Sequence, residues 1–351
     1  MQLLLLLLPL LSFASTPRDA VNRYAQGVYE DYTAAKQTGE ELRRQIGLFT
    51  LAPSPESHAA AKQAWLAARA AYSPTEVYRF YQGPIDGEDG PEGLLNAWPL
   101  DEAYIDFVEG NLNAGIINDS VRYPEITKEL LLSLNEKDGE TNISTGYHAI
   151  EFLLWGQDFS SEGPGNRDYR DFIPAFRANA DRRAAYLNAA ADLLVDHLSF
   201  LQAAWAPGAD NYRATFTNDD SLKSIFLGAY RLAGEELSHE RMYVAYDTGA
   251  QEDEHSCFSD NTHNDIRDNF LGIKKVLSEG PLALVAAANS SAAARVEAAL
   301  MDAEKAIHAI PAPFDQAISK DREKILAAVT ALEDLAAATK DAAAALGITL
   351  D

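Results

Sequence analysis

Arg183-Ala184-Ala185-Tyr186-Leu187-Asn188-Ala189-Ala190-Ala191-Asp192-Leu193-Leu194-Val195-Asp196-His197-Leu198 sets Leu187, Ala191, Leu194 and Leu198 at spacings of three and four, the period of one helix face. Val21, Tyr24, Val28 and Tyr32 repeat the period near the other end of the chain. Alternating strand patterns are scarce, so the fold class is all-α. The periodicity predicts helices over roughly 18–46, 56–73, 100–110, 124–134, 143–156, 170–204, 218–247, 262–278, 291–309 and 314–345.

Between Gly156 and Asp168 the run Ser160-Ser161-Glu162-Gly163-Pro164-Gly165-Asn166 gathers turn formers and cannot continue a helix. It divides the chain into two expected helix-bundle domains, 15–160 and 168–351. Two acidic irregular stretches, Phe80 to Pro99 with Asp86 and Asp247 to Thr262 with Glu254, give each half a similar plan and suggest internal duplication.

Across 351 residues, 53 acidic side chains oppose 29 basic ones, a net charge of −24 that speaks against nucleic-acid binding. The single cysteine, Cys257, excludes an intramolecular disulfide and a thiolate-only zinc site. Met1 to Phe13 is nearly unbroken Leu and ends in Ser12-Phe13-Ala14, which reads as a signal peptide cleaved after Ala14. No later window offers the ~18–20 apolar residues of a membrane span, so the expected mature chain is exported to a bacterial periplasm or envelope without a transmembrane segment.

Three constellations could carry chemistry. In Gly146-Tyr147-His148-Ala149-Ile150-Glu151, His148 and Glu151 share a face of a helix that is apolar nearly all round, so each needs a buried partner or a metal. The plainer reading is a His–Glu pair bonded to neighbouring helices. Gly146 would let another backbone or a ligand come close. Gly234-Glu235-Glu236-Leu237-Ser238-His239-Glu240 repeats the layout with ligand types exchanged, although it could equally be a solvated charged face. The third, Glu252 to His263, crowds His255, His263, four carboxylates and Cys257 into twelve residues. Imidazole with carboxylate suits a transition metal, iron or zinc. Cys257 reads more readily as a buried small hydrophobe, and Asp260 as a cap of the helix that follows, with Asn261 as the alternative. No zincin helix, phosphate loop or Gly-x-Ser-x-Gly elbow is present.

The segment Ser144 to Asp158 resembles the Gly-x-His-x-x-Glu signature of the imelysin family, and the resemblance extends through Tyr78-Arg79-Phe80-Tyr81, Gly83-Pro84-Ile85-Asp86, Asn96-Ala97-Trp98-Pro99-Leu100-Asp101-Glu102 and Asp253 to His263. Within the family it is closest to the iron-regulated protein A branch. The resemblance implies two helical bundles, export and a link to iron acquisition, for a family whose members have also been classed as metallopeptidases. One stretch departs: the branch usually reads Gly-Glu-Leu-Ala-Gly-Glu-Arg-Met where this chain has Gly234-Glu235-Glu236-Leu237-Ser238-His239-Glu240-Arg241-Met242. Family weight therefore falls on Glu240 and Arg241 rather than His239.

Residues and resemblance together point to an exported metal-binding protein of iron homeostasis. The expected metal ligands are His148, Glu151, His255 and His263, at an interface between the domains. Asp86, Asp101, Glu240, Arg241, Glu254, Cys257 and Asp260 are further site candidates. The expected partner is a metal ion or a small iron-carrying ligand. The alternative is an imelysin-type zinc metallopeptidase acting on peptides, with Glu254 or Glu240 and Arg241 as its candidate general base and carbonyl-polarising group.

Overall fold

The computed structural model describes residues 16–160, 162–217 and 219–350, and the expected leader, 1–14, lies outside them. Among the described residues the fold is all-α, with no strand and only one isolated bridge, Val108 to Asn111. Helix α1 (Pro17–Leu51) starts where Thr16 and Asp19 form a capping box ahead of Pro17, and α2 (Pro55–Tyr72) repeats the device with Ser54, Ser57 and Pro55. Then come α3 (Gly146–Trp155), α4 (Ala180–Ala204) and α5 (Asp219–Arg231). The chain continues from α5 without a break into a π-helix, Leu232–Tyr243. The last group is α6 (Thr262–Ser278), α7 (Pro281–Ala288), α8 (Ser290–Ala309), α9 (Phe314–Lys320) and α10 (Arg322–Ala345).

The apolar stripes read from the sequence face inward. Tyr32, Leu187, Leu194 and Leu198 are fully buried, and the buried apolar residues of both halves form one continuous cluster. Helix α1 packs against α2 and α4, while α8, the π-helix and α5 pack against α10. The seam between these groups is the 3₁₀ turn Ser73–Tyr78, which lies against α6. There a Cβ on Gly272 would stand 2.2 Å from the Pro74 carbonyl oxygen, so only glycine permits the contact.

Several expected boundaries differ. The helix expected over 100–110 shrinks to Glu102–Ile105, and the one over 170–204 starts at Ala180, after left-handed Asn179. The stretch 314–345 is two helices, because Asp321 interrupts it. Pro281–Ala288, not expected, begins with Pro at its first position.

Candidate metal centre

Gly146 opens α3 with φ +85°, and a Cβ there would sit 2.5 Å from the Leu95 carbonyl oxygen. The glycine therefore lets the short helix Glu92–Leu95 close over the start of α3. One turn on, His148 and Glu151 are both buried, and His148 Nδ1 lies 2.8 Å from Glu151 Oε2. Glu151 Oε1 accepts bonds from the Ser259 amide (2.9 Å) and hydroxyl (2.6 Å). Both oxygens of Glu151, a ligand candidate in the sequence, are thus engaged by protein partners. His148 Nε2 has no hydrogen-bond partner.

The His255 ring stands edge-on to His148, centroids 4.6 Å apart, and Trp98 packs on both. Every hydrogen-bond contact of His255 falls on Nδ1: Asp265 Oδ2 at 3.0 Å, and nitrogens of Arg69 and Arg241 at 3.2 Å each. Asp265 in turn takes Arg69, Ser256, Asn261 and Ser73. Both imidazoles thus meet a carboxyl group on Nδ1, the position from which metal-binding histidines elsewhere donate to a carboxylate, and make no hydrogen bond through Nε2.

Electrostatics agree. Burial and then neighbouring His255 hold His148 well below the usual histidine range, and burial and then Arg241 bring His255 down to about 4. Both rings are therefore neutral, as metal ligation requires. Burial pushes Glu151 up to about 8 against the Ser259 bonds. Burial, the largest single influence, opposes ionisation of Asp265, but Arg69, His255 and Ser256 together outweigh it and keep that carboxyl well below its ordinary value.

His255 lies on the wall of a cavity of about 760 Å³, with Asn96 and Trp98 on one side and Glu236, Glu240 and Arg241 on the other. Arg241 bonds Glu76 (2.6 Å) and Glu236 (2.9 Å), and Arg79 bonds Glu76 and Glu92. The π-helix makes this wall. Residues i and i+5 point well apart on an α-helix, but the wider π turn brings Glu236 and Arg241 together.

The other sequence candidates scatter. His263 borders a small recess with Ile307, Ile310 and Phe314, and no contact joins it to His148 or His255. Asp86 accepts the Phe80 and Gly83 amides and so shapes a loop, while Asp101 caps Glu102–Ile105. His239 is exposed and stacks on Tyr243. Cys257 is a buried thiol pushed up by burial, as a small hydrophobe should be. Asp260 is left-handed and interacts with Asp158, and Asn261 holds the cap position of α6. Glu254 is buried with Oε1 unpartnered. Among the described residues, no three His, Cys, Asp or Glu side chains converge as a preformed metal-binding group. Arg69, Glu76 and Asp265 were not foreseen. The one signal was an arginine on the apolar face of α2, beside Trp65, Ala68 and Tyr72.

The imelysin family profile matches residues 28–339. The chain belongs to the imelysin family. One curated relative of this imelysin chain, iron-regulated protein A of Synechococcus elongatus, is 24% identical over 333 residues, which cover 89% of this chain and 80% of the relative. Among solved structures, a chain from Parabacteroides distasonis named as an iron-regulated protein A precursor superposes with a TM-score of 0.71 at 17% identity. That match covers 95% of this imelysin chain and 97% of the other, and it shows a shared fold.

Proposed function

We propose that this chain binds a transition metal, iron foremost, as cargo of iron acquisition or homeostasis, with His148 Nε2 and His255 Nε2 as its protein ligands. The observation that carries the reading is the unpartnered, fully buried Nε2 of His148 beside a second neutral imidazole. An orphaned buried nitrogen is costly, and a ligand there removes the cost. Glu151 and Asp265 then act as orienting partners, and open coordination positions are left for water or donors of a small iron carrier in the cavity. The relative named iron-regulated protein A supports iron over other metals. A hydrolytic zinc centre would need about three protein ligands and a metal-bound water, and the described residues bring only two imidazoles together. Binding is therefore favoured over peptide hydrolysis.

Export belongs to the same proposal, supported by the 1–14 reading and by the "precursor" in the name of the similar structure. No helix among the described residues is long and apolar enough to cross a membrane. The two-bundle division, 15–160 and 168–351, and its internal duplication are also proposed. A division drawn by packing would place α4 with α1 and α3. The test is metal content after reconstitution of the full chain with iron and, separately, zinc, comparing wild type with His148→Ala and assaying cleavage of a denatured polypeptide. Retained metal without cleavage supports binding. Metal-dependent cleavage that the variant loses overturns it.

A further inference from the structure

In a chain of net charge −24, one region gathers cations with too few anions to match them. Three guanidiniums surround the Phe107 ring, with Arg167, Arg177 and Arg183 at 4.9, 4.5 and 5.0 Å from its centroid. Only two carboxylates pair with them: Asp106 takes both Arg167 and Arg183, and Asp171 takes Arg177. Arg167 is 7% exposed, and its Nε has no hydrogen-bond partner.

Beside Arg167 opens a cavity of about 410 Å³, lined by His58, Lys62, Asn166, Arg167, Asp168 and Tyr169. His58 and Lys62 lie in the first two turns of α2, an eighteen-residue helix whose positive end adds to the field. Lys62 sits over the Trp155 ring at 5.1 Å, and among the described residues it makes no hydrogen bond or ion pair. Burial, and then Arg167, bring its ammonium down to about 8. Asp168, the one carboxylate on this wall, is held by Arg170. Arg167 itself is fixed by the turn-rich break, whose chain folds back so that the Arg167 amide donates to the Trp155 carbonyl at the end of α3.

We propose that this cavity is a binding site for an oxyanion, a carboxylate or phosphate group of a small molecule, held by Lys62 and Arg167 at the start of α2. An anion there would supply a counterion for Lys62 and accept charge-assisted bonds from it and from Arg167, the one member of the Phe107 cluster that lines this cavity, while Tyr169 and Asn166 offer polar contacts to the rest of the molecule. The site is separate from His148 and His255, so it can hold whether or not the chain binds metal.

The experiment titrates the full chain, ¹⁵N-labelled, with inorganic phosphate and separately with citrate, using sodium chloride at equal ionic strength as control. Lys62 and His58 resonances are followed by NMR, and Tm by calorimetry. The expected result is saturable shifts at Lys62 and a rise in Tm with at least one of the two probes, the responding probe assigning phosphate or carboxylate. Lys62→Met keeps an apolar stem on Trp155 and should bind at least about tenfold more weakly, the loss of one charge-assisted bond. Lys62→Arg should retain binding. A response to both probes no greater than to chloride overturns the proposal, as does a Lys62→Met protein that folds and binds as tightly as wild type.

Discussion

His148 Nδ1 and Glu151 Oε2 lie 2.8 Å apart inside α3, and the pair fixes which nitrogen of the imidazole can meet a ligand. With Glu151 pushed up to about 8 by burial, the neutral pair at pH 7 has the carboxyl donating to Nδ1 and the proton of the ring on Nε2. Metal at Nε2 requires the other tautomer, with Nδ1–H donating to an ionised Glu151. Binding must therefore expel one proton. Calorimetric titration with Zn²⁺ in buffers of different ionisation enthalpy should find about one proton released at pH 6 to 7, in addition to any from the metal's own water, and affinity should rise with pH until about 8. No pH dependence in that window would contradict the pairing.

Glu151→Gln follows from the same geometry. The amide can still accept the Ser259 bonds through oxygen, but its nitrogen can only donate to Nδ1, which locks the proton on Nε2. Metal affinity should fall at least about 10–100-fold, as for loss of an orienting partner, with little change in Tm. ¹⁵N shifts of the ring would show the tautomer. Unchanged affinity would remove Glu151 from the site.

Arg69→Met tests the support beneath His255. Arg69 and Asp265 are both fully buried, and removing one partner leaves the other charge uncompensated. The expected cost is about 3–5 kcal/mol in denaturant unfolding. A loss below about 1 kcal/mol would show that Asp265 is already satisfied by Ser256, Asn261 and His255.

Acid stability should reflect His58, whose ring bonds the Leu154 carbonyl and stacks on Phe49. Burial, then Lys62, lower it from 6.5 to about 4, so the unfolded chain takes up its proton first. Its contribution is present above pH 6.5 and lost as pH falls through about 4. His58→Gln should lower stability at pH 7 by about 1 kcal/mol through the lost contacts. Its further loss between pH 6.5 and 4 should be smaller than that of wild type, as measured by urea midpoints.

The helices were legible because their apolar stripes are long and regular, as in α1 and α4. Gly146 could be read as a close-approach position because glycine ahead of a buried His–Glu pair has few other uses. For Glu151 the i, i+3 spacing says that the two side chains meet and leaves open which one faces a metal, and the bonds from Ser259, 108 residues away, have no local signal. Arg69 and Asp265 are 196 residues apart, and no local pattern announces such a pair. Gly234 to Met242 departs from the branch pattern, and the π-helix there, which no periodicity announced, is what puts Glu236 beside Arg241.

Metal held by the two Nε2 atoms is tested by the affinity of the purified full chain for Zn²⁺ and Fe²⁺ in wild type, His148→Ala, His255→Ala and His263→Ala, alongside Tm. His148→Ala and His255→Ala should each weaken binding by at least about a hundredfold, roughly 2.7 kcal/mol, while His263→Ala binds as wild type does. Wild-type affinity in the His148→Ala and His255→Ala proteins, or a loss confined to His263→Ala, would contradict a site built on His148 and His255.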